Sequence, residues 1–287
     1  MFKTILIIFL VLAAVGVAGG SYYYFEVYSP EKYAGAVLSL YQKLESAGLE
    51  PDASSLKNAS DYENALRVLN EKISLLNSIK SDLAAVEVPK RMENFQNEFM
   101  NYIDFLLPRH EHAKDLAEFL SSANVLHEAF EALDEQRAPS SPTQPAADFQ
   151  ELFAKRFSKI QSAGREFARK EVEVVTDPSF SELKTLWEGA SPGFDLVLKK
   201  ISQLNPKLPA SQMMNNLFTP SEQKQLDSYT PKVEGLSKKL DDLVKKYQAY
   251  DILAFKYFPD STSAEASERS LKFYNTLQEL KAKYGTR

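Results

Sequence analysis

The sequence predicts an all-α protein: an N-terminal transmembrane helix followed by two up-and-down helical-bundle subdomains with long amphipathic, coiled-coil-like helices. Three observations predict it. Apolar residues recur at three- and four-residue steps over long stretches, which gathers them on one face of a helix. Ser or Thr is followed three residues later by Glu at Ser60/Glu63, Ser179/Glu182, Thr219/Glu222 and Thr262/Glu265, a spacing that allows reciprocal capping of a helix N-terminus. The 287-residue chain has only 10 Gly, and its one short β-like run is Val172 to Val175, so a loop-rich or all-β design is disfavoured.

Residues 1–28 form the first element, read as a transmembrane signal-anchor or a signal peptide. From Thr4 to Phe25 the chain carries no charge. As a helix, Ile5 to Phe25 spans about 31 Å, close to the roughly 30 Å of bilayer hydrocarbon. The apolar region of a signal peptide is shorter, about 7–15 residues. Tyr22, Tyr23, Tyr24 and Phe25 fall where such a helix leaves the membrane, and tyrosines favour that interface. Lys3 lies before the run, with Glu26 and Glu31 after it, which puts the N-terminus in the cytoplasm and the bulk of the chain outside. The competing expectation is cleavage near Ala18–Ser21 and a secreted or periplasmic chain.

Helices are then expected near 30–47, 60–87 and 89–135. Ser29-Pro30 reads as a cap before a first-turn proline, and Gly48 as a stop. The stripe Leu66, Leu69, Ile73, Leu76, Ile79, Leu83 defines the second helix; Phe95, Phe99, Tyr102, Leu106, Ala113, Leu116, Leu120, Ala123 and Phe130 define the third. Pro108 falls inside that third run and is expected to kink or split it. "RAPSSPTQPAAD", Arg137 to Asp148, has three prolines and cannot continue a helix, so residues 137–147 read as a linker between an acidic bundle, 29–136, and a slightly basic one, 148–287. Beyond it, helices are expected near 148–172, 179–190, 194–204, 211–217, 220–257 and 262–284. Pro231 lies within the stripe Leu226, Tyr229, Val233, Leu236, Leu240, a place where a new helix could begin.

Charge and composition exclude several functions. Formal charge is −5, which disfavours nucleic-acid binding. From Glu31 to Glu135 there are 10 basic and 19 acidic residues; from Asp148 to Arg287 there are 22 and 19. Two solvated surfaces of different sign explain this most simply, though attraction between the halves is the sharper reading. The chain lacks cysteine, which removes disulfides, thiolate metal sites and thiol nucleophiles. No Gly-x-Ser-x-Gly, phosphate-binding loop or His-Glu-x-x-His is present.

Candidate sites remain. "PRHEHAKD", Pro108 to Asp115, offers His110, Glu111, His112 and Asp115 to a metal or to acid–base chemistry. Residues two apart on a helix point about 200° apart, so His110 and His112 cannot converge from regular helix, and a polar, solvated helix start is preferred. Glu111, Asp115 and Glu118 share a face that reads as solvated. His127 lies on the apolar register and reads as a hydrogen-bonded histidine at the edge of the core. The lysine pairs Lys199-Lys200, Lys238-Lys239 and Lys245-Lys246 suit anionic lipid or an acidic polymer, yet Asp241 and Asp242 interleave with the later two, so an ordinary charged face is preferred. Trp187 reads as a core plug, and Gln212 to Phe218 as either a contact surface or a short buried helix. Asn58-Ala-Ser60 fits the glycosylation pattern.

The chain is therefore expected to be non-enzymatic, with no catalytic, cofactor or metal residues: a membrane-anchored spacer, scaffold or partner-binding module of the cell envelope. Its partners are the lipid bilayer through residues 4–25 and a protein, or a second copy, through helix faces. The alternatives are a cleaved bundle binding a ligand between helices, and a metal-dependent or acid/base enzyme using the His110–Asp115 region.

Overall fold

The computed structural model describes residues 28–46, 62–134, 146–170, 177–204, 217–248 and 263–284, together with Val17, Gly20, Ser21, Tyr23 and Tyr24. Among these the chain is all-helical, without strand. The helices are α1 (Ser29–Ser46), α2 (Tyr62–Ala85), α3 (Glu93–Asp134, entered through a 3-10 turn at Lys90–Met92), α4 (Ala146–Arg169), α5 (Ser179–Ser202), α6 (Pro220–Gln248) and α7 (Ser263–Tyr284). No described helix is long and apolar enough to cross a membrane. Most of the run expected to do so, residues 137–145 of the expected linker, the Asn58–Ser60 pattern, Val172–Val175 and residues 211–216 lie outside the described residues, while the linker's last two residues, 146 and 147, open α4.

Three expected breaks are absent. Pro108 sits inside a continuous α3 and Pro192 inside a continuous α5, where helices 179–190 and 194–204 had been expected. Proline removes one i→i−4 donor and crowds the preceding turn. In α3, the Arg109 guanidinium donates to the Phe105 carbonyl at 3.2 Å and the His110 imidazole Nδ1 to the Leu106 carbonyl at 2.9 Å. In α5, the Ser191 hydroxyl turns to the Glu188 carbonyl at 3.4 Å, the group that residue 192 would otherwise serve. Pro231 begins no new helix in α6, where Thr230 bonds the Leu226 carbonyl at 3.2 Å. At Pro192 a side-chain donor thus reaches the carbonyl that loses its partner; Pro108 and Pro231 free the Asp104 and Asp227 carbonyls, which these bonds do not serve, and the helices run on all the same.

The chain packs as two units. One contains residues 1–52, 69–111 and 260–287; the other contains 53–68 and 112–259. Each draws on both sides of residues 137–147. In the first, α1, the later part of α2, the start of α3 and α7 bury one apolar cluster. Phe273 of α7 is its centre: the ring stacks on Tyr102 at 4.4 Å and meets Phe99 at 5.0 Å and Tyr41 at 6.0 Å. Tyr33 donates to Gln96 at 2.7 Å, and Gln96 donates to the Leu83 carbonyl at 2.6 Å, which ties α1 and α3 to the end of α2. The C-terminal helix therefore belongs with the N-terminal one. The charge difference between the two sequence halves does not carry over to these units, which hold 13 basic and 16 acidic residues, and 21 and 23.

In the second unit α5 and α6 are antiparallel. Glu182 pairs with Lys239, Leu186 meets Gly235, Gly189 faces Lys232, Gly193 faces Tyr229, and Lys200 reaches Glu222 at 2.7 Å. A Cβ on Gly193 would lie 3.0 Å from that of Tyr229, so the glycine lets the helices approach. Thr219 and Glu222 form the expected capping box, with Thr219 N donating to the carboxylate at 2.9 Å and Glu222 N donating back to the hydroxyl at 3.3 Å. α4 lies antiparallel to α5. Trp187, buried and stacked on Phe194, presses its ring on Gly164, where any Cβ would run into it. Phe119 of α3 joins Phe167 of α4 at 4.8 Å and Phe180 of α5 at 4.6 Å.

The glycines separate packing from propensity. Gly35 has nothing within 4 Å of a built Cβ, and Gly235 has only Leu186 at 3.5 Å. Alanine at either position should stabilise by about 0.5–1 kcal/mol through helix propensity alone. Gly164→Ala gains the same increment but must displace the indole, at a cost of about 1–3 kcal/mol, so it should lower stability. Urea unfolding followed by circular dichroism checks all three. A Gly164→Ala chain as stable as Gly35→Ala would remove Trp187 from that contact.

Candidate functional site

The histidine cluster does not assemble. His110 is buried, 2% exposed, together with Lys72 and Arg109, while Glu111 and Asp115 face solvent and His112 is half-buried. The stretch is the interior of a helix, not the solvated helix start expected after Pro108. The buried Arg109 and His110 donate to the Phe105 and Leu106 carbonyls of the preceding turn. Among the described residues no three His, Asp or Glu side chains gather to hold a metal. Burial lowers the His110 pKa to about 4; the Leu106 bond opposes this and nearby Lys72 adds to it.

His127 sits at the core edge, 13% exposed, with Asp241 of α6 at 3.5 Å and Glu131 at 3.8 Å. The lysine pairs are largely spent on packing between and along helices. Lys200 holds Glu222, Lys239 holds Glu182, Lys245 holds Asp241 and Lys246 holds Asp177. Asp177 is a residue that sequence reasoning missed. It replaces the expected Ser179/Glu182 box: its carboxylate accepts from Ser179 N at 3.0 Å, from the Tyr247 hydroxyl at 3.0 Å and from Lys246. Burial pushes its pKa up, but the Lys246, Ser179 and Tyr247 hydrogen bonds outweigh that and bring it down to about 2. The signal was present as Asp-Pro-Ser before an apolar run, a side chain placed to reach the backbone two residues on.

Two adjoining hollows between α3 and α4 in the second unit share Val125, Ala163 and Glu166. Their volumes are about 310 Å³ and 500 Å³, within the range of ligand-sized sites. At the first, Leu66, Val125 and Ala163 form an apolar floor, and Ser121 and Ser122 are small enough to leave it open. Val125 is 43% exposed, off the buried stripe of its helix. At the second, Lys159, Arg165 and Arg169 line the rim. The carboxylates nearby are engaged: Lys170 binds Glu118 at 3.0 Å and Glu166 at 3.4 Å. The Glu118 hydrogen bond raises the Lys170 pKa, against the opposing effect of burial, so that ammonium stays charged. Arg165 reaches Asp195 at 3.4 Å, while Lys159 and Arg169 make no ion pair among the described residues. The result is a groove with an apolar floor and a cationic rim. Sequence reading missed it because Lys159, Arg165 and Arg169 are spaced along α4 without forming a run.

A third hollow of about 400 Å³, in the first unit, differs in kind. Its lining sets two acids, Glu98 and Asp104, against two cations, Arg269 and Lys272, with Lys272 reaching Glu98 at 2.8 Å. It presents no net charge for a ligand to answer.

Two of the shifted groups, His110 and Asp177, give a pH response that can be isolated by mutation. His110 accepts a proton near pH 6.5 when unfolded but only near about 4 when folded, so the unfolded chain binds more protons between those values. Stability should fall by about 2–3 kcal/mol as pH drops through that window. In His110→Leu the slope of unfolding free energy against pH should flatten there, whatever the mutation does to absolute stability. Asp177 acts lower: its stabilisation is present above 3.8 and is lost as pH falls toward about 2. Asp177→Asn should cost about 1 kcal/mol at neutral pH after solvent screening. That difference should close in acid, as read by urea titrations across the range.

No protein-family model matches this chain, and no curated protein and no solved structure matches it either.

Proposed function

We propose that this protein is a single-pass, membrane-anchored, extracytoplasmic protein without enzymatic activity, two up-and-down helical bundles that engage a protein partner. The observation that carries the anchor is the uncharged run Thr4–Phe25 ending in aromatic residues: Tyr23 is 59% exposed, and Tyr24 and Tyr28 are 47% exposed with rings 5.8 Å apart. Tyrosines left outside the core, at the end of an apolar run, suit the bilayer interface. The non-enzymatic part is supported by the way the titratable groups are used. His110 serves a backbone carbonyl and Asp177 caps a helix while binding α6, so neither presents its group to a substrate. The partner-binding part is supported by the open groove between α3 and α4.

Fractionation of the native host, followed by N-terminal sequencing of the mature protein, tests the anchor. The expected result is an uncleaved chain in the membrane fraction, released by detergent and not by high salt. External protease should digest the region after Tyr28 in intact cells stripped of any outer layer. A soluble chain beginning at Gly19 or Ser21 would instead establish the cleaved, periplasmic or secreted alternative.

A further inference from the structure

We infer that the groove between α3 and α4 receives an acidic amphipathic helix of a partner protein. This rests on the partner-binding half of the function proposed above and is independent of the anchor. The groove runs along α4 from Ser158 to Lys170 just past its end, thirteen residues, or about 18 Å. That length accommodates about three turns of an incoming helix, which would set apolar residues at i, i+4 and i+7 on the floor. The floor is Leu66, Val125 and Ala163, and Val125 remains 43% exposed while its α3 neighbours Ala123 and Leu126 are buried. Small residues beside it, Ser121 and Ser162, let a helix backbone come near.

The rim decides the sign of the partner. Lys159, Arg165 and Arg169 face the opening. The acids that might have neutralised them, Glu118 and Glu166, are held by Lys170. Arg165 already reaches Asp195 at 3.4 Å, so a helix with Glu or Asp flanking its apolar stripe would answer Lys159 and Arg169, and a basic helix would be repelled by them. A bare polyanion would answer the rim but leave the floor uncovered.

The test uses the full-length chain in zwitterionic phosphatidylcholine nanodiscs, with empty discs as blank. The probes are three fluorescent peptides of about fifteen residues. They share one leucine stripe and carry Glu, Gln or Lys beside it. Anisotropy should show saturable binding of the Glu peptide, at least about tenfold tighter than the Lys peptide, weakening with salt. Lys159→Glu with Arg169→Glu should reverse the order, so that the Lys peptide now binds better. These side chains are exposed, and unchanged circular dichroism confirms that the fold survives. Val125→Asp should weaken the Glu and Gln peptides alike. Binding no greater than to empty discs, equal binding of Glu and Lys peptides, or no reversal in the double variant would overturn the inference. Self-association of the chain that the double variant abolishes would also overturn it, assigning the groove to a second copy. Heparin competing with the wild type while Val125→Asp leaves peptide affinity unchanged would assign it to a bare polyanion.

Discussion

A helix that runs through a proline loses one backbone hydrogen bond, and α3, α5 and α6 all carry that loss without breaking. In the second unit these three helices supply most of the core. At Pro192 the Ser191 hydroxyl turns back to the Glu188 carbonyl that the ring leaves without its donor, while Arg109, His110 and Thr230 add bonds to the neighbouring carbonyls of Phe105, Leu106 and Leu226. Were the helices broken at these prolines, the registers that bring Trp187 onto Gly164 and Tyr229 onto Gly193 would be lost. A histidine at 2% exposure is costly unless bonded, and His110 is bonded to a carbonyl of the turn that Pro108 disturbs.

Close approach is the second organising feature. Glycine weakens a helix by about 1 kcal/mol relative to alanine. At Gly164 and Gly193 that loss is offset by contact with aromatic side chains, and at Gly35 nothing offsets it. The ion pairs between α5 and α6, from Glu182–Lys239 to Lys200–Glu222, sit along this seam and fix its register more than its strength.

Helix and capping were legible in the sequence because they depend on neighbours three and four residues away. The stripe Phe95, Phe99, Tyr102, Leu106 is buried as its spacing implies, and the Thr219/Glu222 box forms in full. Properties that depend on distant partners were not legible. Nothing near Pro108 announces that Arg109 and His110 will be buried, and nothing near Gly164 announces Trp187. The groove is a stronger case: its floor joins Leu66, Val125 and Ala163, nearly a hundred residues apart at the extremes, and its charge emerges only once Lys170 has engaged Glu118. The contrast between acidic and basic halves was real as sequence but belongs to neither packed unit, because α7 crosses the chain to join α1.

That last crossing bears on how the protein is made. Phe273 stacks on Tyr102 and touches Tyr41, residues that leave the ribosome long before it does. The unit built on residues 53–68 and 112–259 is synthesised in full while the other still lacks a helix. Domains generally fold as units during synthesis, at about 5–20 residues per second. The part of the α1 and early α3 faces that Phe273 covers must therefore stay open for roughly ten seconds or more after it emerges, a waiting period in which a chaperone has something to hold.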